Sequence, residues 1–193
     1  KDAGLKMMPS RLLEGETSTH FLTERFDRVG NTKVHTQTLA AMNPLADSYE
    51  ELFDVACRIG IIPAELSQLF LLMTMNVISG NIDDHNKNFS FMMASDGVWH
   101  ITPAYDFTFS VDTSAPGYIN RHCMTINNKN ADIRFNDLLN IAKRYNIKEA
   151  ESIISNAIKA VTNYARYAQS GGVSNEWTNK ISEEITYRIN CLK

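Results

Sequence analysis

Three oxygen-bearing side chains, Asp83, Asn88 and Asp106, stand at spacings that suit phosphoryl transfer from a nucleotide. The first two lie in Gly80-Asn81-Ile82-Asp83-Asp84-His85-Asn86-Lys87-Asn88, and the third ends Pro103-Ala104-Tyr105-Asp106 beyond a short hairpin. In enzymes of the kinase type, one Asp accepts the proton of the attacking hydroxyl. An Asn after four intervening residues, and a second Asp past a β-hairpin, hold the magnesium ions that bridge the ATP phosphates. The pattern Asp-x-x-x-x-Asn…Asp predicts a loop that gathers one base and two metal ligands.

Clusters of Asp, Asn and His also turn chains and cap helices without doing chemistry. Three features favour the catalytic reading here: a buried helix precedes the cluster, its Asn is correctly spaced, and a third carboxylate recurs after a hairpin. A metal-dependent phosphohydrolase using Asp83, Asp84, His85 and Asp106 is the rival enzyme class. Such hydrolases spend imidazole on transition metals. His85 is the cluster's one histidine, while His20, His35 and His122 are remote in sequence and His100 reads as a sheet-surface residue. An oxygen-rich, imidazole-poor set favours magnesium and nucleotide. Lys87 either neutralises phosphate charge or is a solvated loop lysine. Met73, Met75, Met92 and Met93 read as core filler.

The elements that must position these groups follow from periodicity. His20-Phe21-Leu22-Thr23-Glu24-Arg25-Phe26-Asp27-Arg28 alternates and predicts a strand ending near Val29-Gly30-Asn31. Residues 46–59 predict a helix, with Asp47 or Ser48 as N-cap and Leu52, Val55, Ala56 and Ile59 on one face. Gly60 stops it, and Pro63 suits the first turn of the next. That helix, 64–79, is apolar almost all round, which places it inside a bundle. Gly80 ends it, and the Asp83 loop follows at once. Residues 88–94 and 98–102 predict strands joined by Ser95-Asp96-Gly97. Residues 110–130 read as an irregular surface segment with one strand around 123–126. Helices are expected over 135–145, 148–169 and 176–191, the last two separated by Gly171-Gly172.

At 193 residues one substantial core, and one domain over 1–193, is the expectation. A 44% hydrophobic and 21% charged composition excludes a disordered chain, and a net charge of −3 excludes a general nucleic-acid coat. Cys57, Cys123 and Cys191 form no Cys-x-x-Cys pair and read as buried or incidental thiols of a reducing compartment. The most apolar run, 66–78, is too short to span a membrane and is interrupted by Ser67, Gln68, Thr74 and Asn76. A cytoplasmic location is therefore expected, with no membrane partner. The chain opens on Lys1-Asp2-Ala3-Gly4 without a Met, so a fragment is expected.

The stretch from Gly80 to Ser90, followed by Thr102-Pro103-Ala104-Tyr105-Asp106, resembles the catalytic core of HipA-like serine/threonine kinases, toxins of bacterial toxin–antitoxin pairs. Glu24-Arg25-Phe26-Asp27-Arg28, with His35 and Thr38-Leu39-Ala40-Ala41, is similar to that family's hinge and the stretch behind it. The resemblance implies a mainly α (α+β) fold, the helical C-terminal lobe of a kinase with a short front strand and a small hairpin. It implies Asp83 as base, Asn88 and Asp106 as magnesium ligands, and Glu24, Arg25 and Phe26 as the hinge on adenine. His85, Asn86, Lys87 and Asn88 would line the nucleotide pocket with Tyr105. Asp84 stands where glycine is often found, which alters loop flexibility and charge. ATP and magnesium are the implied cofactors. A helix-turn-helix antitoxin, touching operator DNA for the pair, is the implied partner, and an aminoacyl-tRNA synthetase the implied substrate.

The departure is at the front. Residues 3–9 resemble the end of the helix after the family's phosphate-binding lysine, and no Gly-rich loop occurs in the 193 residues. The expectation is a larger lobe whose ATP-binding partner lobe lies outside this chain, inactive by itself. An inert kinase-like binding module is the second alternative.

Overall fold

The computed structural model describes residues 2–114 and 120–193. Its centre is α3 (Pro63–Ser79), which packs against α2 (Tyr49–Arg58), α5 (Ala150–Thr162) and α7 (Asn175–Cys191). Leu69, Phe70, Ile78, Leu71, Met75 and Asn76 are buried around its circumference, as a helix apolar almost all round demands. Pro63 sits in the first turn, where its missing N–H costs nothing. Glu65 in that turn accepts from Ile101 N–H at 2.8 Å and meets His100 Nδ1 at 2.8 Å. His100 is therefore not a simple sheet-surface residue: it ties helix to hairpin.

Ser48 caps α2, its hydroxyl accepting from Glu51 N–H while the Glu51 carboxylate accepts from Ser48 Oγ and Asp47 N–H. The helix is shorter at its start than 46–59 because the cap lies at 48. Gly80 closes α3 at φ +74, a left-handed conformation that suits glycine.

The expected hairpin forms from β6 (Ser90–Met93) and β7 (Trp99–Ile101), with Gly97 at φ +83 in its turn. A third strand, β5 (His35–Thr38), pairs antiparallel with β6 in the order β5-β6-β7. At the front, the single predicted strand over 20–29 is β2 (Thr19–Thr23), paired with β1 (Ser10–Glu14). The chain then turns, and the two-residue strands β3 (Arg28–Val29) and β4 (Thr32–Lys33) follow. Residues 3–9 are not the end of a helix. Leu5 is buried, and Met7 bridges Ala104 in parallel fashion, with Ala104 N–H donating to Lys6 O at 2.8 Å.

A short α1 (Leu39–Met42) follows β5, and α4 (Phe135–Arg144), α5, α6 (Tyr164–Ser170) and α7 complete the helical part. The predicted helix over 148–169 is two helices. Glu149 takes φ +60 before α5, and Asn163 breaks the run by bonding its side chain back to Lys159 O. The segment 110–130 corrects the sequence reading twice. No strand forms at 123–126, where Thr125 makes an isolated bridge with Ser48, and His122, Met124 and Ile126 are buried rather than on the surface. Residues 115–119 of that segment lie outside the described residues. The whole is a mixed α/β fold of seven helices, among the described residues, with small antiparallel sheets.

Candidate active site

Asp83 leaves the buried end of α3 into an exposed loop, its side chain largely open to solvent. Two tethers hold the segment that follows β7 against this loop. Tyr105 OH donates to Lys87 O at 2.7 Å and lies 2.5 Å from Ser90 Oγ. Ser110 Oγ accepts from Ile82 N–H at 2.8 Å and Asp83 N–H at 3.1 Å, and Ser110 N–H donates to Gly80 O. Asp106 lies between the tethers, so residues 80–90 and 105–110 run side by side.

Asp106 is exposed and takes φ +51, a left-handed conformation that costs a non-glycine residue on the order of 1 kcal/mol or more. Asn88 is buried, and its Nδ2 donates to Asp83 O at 2.8 Å, so that of its two polar side-chain atoms Oδ1 is the one a cation could use. Asn88 thus also braces the loop that carries Asp83.

The other predicted residues divide into two groups. A cavity of about 690 Å³ is walled by Glu24, Arg25 and Phe26 on one side and Tyr105 and Asp106 on the other. Phe26 packs on Tyr105 with ring centroids 5.5 Å apart. Arg25 makes a two-pronged pair with Asp27, and that hydrogen bond draws the Asp27 carboxyl down to about 2. Burial pushes the Tyr105 hydroxyl upward, so it stays a donor at neutral pH. The loop residues Asp83, His85, Asn86, Lys87 and Asn88 are not in this cavity's wall. Asn86 directs its amide to Ala46 O at 3.0 Å and Pro44 O at 3.4 Å, anchoring the loop to the turn after α1. His85 Nε2 lies 3.8 Å from Asp83 Oδ1, and Lys87 is exposed.

Sequence reasoning missed what lies beneath the loop. Asp84 is fully buried, and its Oδ2 accepts from Tyr49 OH at 2.7 Å and His122 Nδ1 at 2.9 Å. Its Oδ1 accepts from Cys123 N–H at 2.8 Å and Met124 N–H at 3.4 Å. Asn76 Nδ2 donates to the Tyr49 hydroxyl, and Asn81 Nδ2 to Asn76 Oδ1, extending the network along α3. Burial and the Asp84 charge raise the Tyr49 hydroxyl well above its ordinary value. Asp84 therefore stiffens the loop, where the sequence suggested altered flexibility. The signals were 35 and 38 residues away in sequence, and His122 was set aside for that reason. With both oxygens engaged, Asp84 is withdrawn from the ligand set that the phosphohydrolase alternative requires. Among the described residues, no three His, Cys, Asp or Glu side chains converge as a metal-binding group. The thiols are not buried either: Cys57 and Cys123 are exposed and Cys191 is partly so, all free.

No helix among the described residues is long and apolar enough to cross a membrane. Solved structures share this fold, two of them as follows. HipA of Shewanella oneidensis, in a complex with HipB and its operator DNA, superposes with a TM-score of 0.70 at 16% identity, over 98% of this chain and 52% of that one. The proinflammatory kinase CtkA of Helicobacter pylori gives 0.59 at 15% identity, over 99% of this chain and 79% of that one. This chain thus spans about half the length of the HipA chain, and at these identities the likeness concerns the fold. No curated protein sequence matches. The family defined by the HipA-like C-terminal domain matches residues 1–165. The architecture is that of the HipA and kinase-like C-terminal lobe, and the chain belongs to the HipA-like C-terminal domain family.

Proposed function

We propose that this chain is the base- and metal-bearing lobe of a toxin-type serine/threonine protein kinase, which moves the γ-phosphoryl group of ATP to a protein. The observation that supports the reading is the double tether, Tyr105 to Lys87 and Ser110 to Asp83, which fastens the segment carrying Asp106 to the loop carrying Asp83 and Asn88. In this assignment the exposed Asp83 carboxylate takes the proton of the acceptor hydroxyl. Asn88 Oδ1 and the Asp106 carboxylate would hold magnesium, whose oxygen preference fits this donor pair. When bound, the ion neutralises charge on the nucleotide phosphates. The cavity lined by Phe26 and Tyr105 is apolar enough, and large enough, to seat an adenine ring against Glu24–Phe26.

The family and the HipA neighbour, solved with HipB and operator DNA, support a partner of the antitoxin kind. A helix-turn-helix antitoxin would touch the operator, and this acidic chain would reach DNA only through it. An aminoacyl-tRNA synthetase is the substrate class that the family resemblance supports. A cytoplasmic site of action accords with such partners.

The test is Asp83→Asn in the whole gene product. Nucleotide binding should persist, and labelled-phosphate transfer should fall by ~10²–10⁴-fold for loss of a general base. Near-normal autophosphorylation in the variant would refute the assignment.

A further inference from the structure

The Asp84 network has a consequence on the solvent side of the loop. Cys123 N–H donates to both Asp84 Oδ1 at 2.8 Å and Ile82 O at 3.0 Å, so residues 122–124 are fastened along residues 82–84. That fastening sets the Cys123 thiol 3.7 Å from Asp83 Oδ1, within hydrogen-bonding distance for sulfur. His122, buried beneath, fixes the position from the other side through Nδ1 on Asp84. We propose that Cys123 is a positioning residue for Asp83: its thiol donates to the carboxylate and holds the rotamer that meets the acceptor hydroxyl. The Asp84–His122 pair keeps Cys123 in place. The proposal rests on the kinase reading for its purpose, but the contact itself does not.

The chemistry agrees with the geometry. Partial desolvation, then the charges of Asp84 and Asp83, push the Cys123 thiol up to about 11, so it remains an S–H donor at neutral pH. A thiol is a weak donor, so it orients the carboxylate while competing little with an incoming hydroxyl. It also leaves Asp83 largely exposed to an incoming hydroxyl.

The first experiment needs no catalytic activity. Alkylation of Cys123 by iodoacetamide is followed by peptide mass spectrometry at one mildly alkaline pH, with Cys57 as an internal standard. Asp83→Asn should speed alkylation of Cys123 by ~3–10-fold, since the thiolate fraction rises when the facing carboxylate is removed. Asp106→Asn, which removes a charge not in contact with Cys123, should leave the rate unchanged. No acceleration in Asp83→Asn, or equal acceleration in both variants, overturns the contact. The second experiment uses the whole gene product: Cys123→Ala should lower kcat several-fold with the KM for ATP unchanged, and Cys123→Ser should restore it. An unchanged kcat in Cys123→Ala overturns the positioning role. Absence of phosphoryl transfer in every form, with the alkylation result as expected, would count against the kinase reading and leave the contact standing.

Discussion

At the scale of single residues, the site combines an exposed working surface with a buried support, and the two respond differently to substitution. Tyr49→Phe removes one donor to Asp84 Oδ2 and leaves the Asn76 amide without its acceptor, both in the interior. Losing one member of a buried polar network costs ~1–3 kcal/mol. Urea unfolding of Tyr49→Phe should show a loss of that size, and a variant as stable as wild type would mean that water replaces the hydroxyl freely. The proposed magnesium ligands behave otherwise. Asp106→Ala and Asn88→Ala should each weaken magnesium-dependent ATP binding in the whole gene product, because each removes an oxygen from the cation. Calorimetry giving equal affinity for all three proteins would contradict the ligand roles. The candidates Asp83, Asn88 and Asp106 stand out in the sequence because their signal is local spacing. Tyr49 and His122 do not, since only the folded chain brings them to Asp84.

Among the elements, α3 decides where the chemistry sits, and Gly80 decides where α3 stops. Its φ of +74 is one reason for glycine, and close packing is the other: an added Cβ would lie 2.9 Å from Val111 Cγ2 and 3.0 Å from Phe109 Cε2. Gly60 offers a control, with φ +82 and open space where a Cβ would be. Gly60→Ala should cost ~1 kcal/mol for left-handed backbone alone. Gly80→Ala should cost more, ~2–4 kcal/mol, because the segment carrying Ser110 must also shift. Chemical denaturation of both variants checks this, and equal losses would remove the packing argument. The α2 and α3 helices, their caps and the β6–β7 hairpin were readable from periodicity and turn residues. The pairing of β5 with β6 was not, because register between distant strands leaves no mark in either strand alone. The same holds for residues 122–126, whose backbone N–H groups donate to Asp84, Ile82, Asp47, Lys129 and Asn130 rather than to a sheet.

For the molecule as a whole, the question is what 193 residues can do alone. The helical core is continuous from Leu5 to Leu192, and α3 is surrounded by α2, α5 and α7, so the chain needs no further surface to bury its centre. The β1–β2 hairpin is different: Leu12, Leu13, Phe21 and Leu22 are all exposed on it, and the cavity behind Phe26 is open. Phosphoryl transfer depends on positioning and on charge around the phosphates. The proposed base and metal ligands are present here, but the sequence contains no Gly-rich loop to cover a triphosphate. Residues 1–193 should therefore unfold cooperatively in urea, yet bind ATP weakly and transfer little or no labelled phosphate at saturating magnesium and ATP. The comparison is with the whole gene product under the same conditions. Rates of similar size would mean that groups within this chain cradle the phosphates, with the loop lysine Lys87 the first to replace.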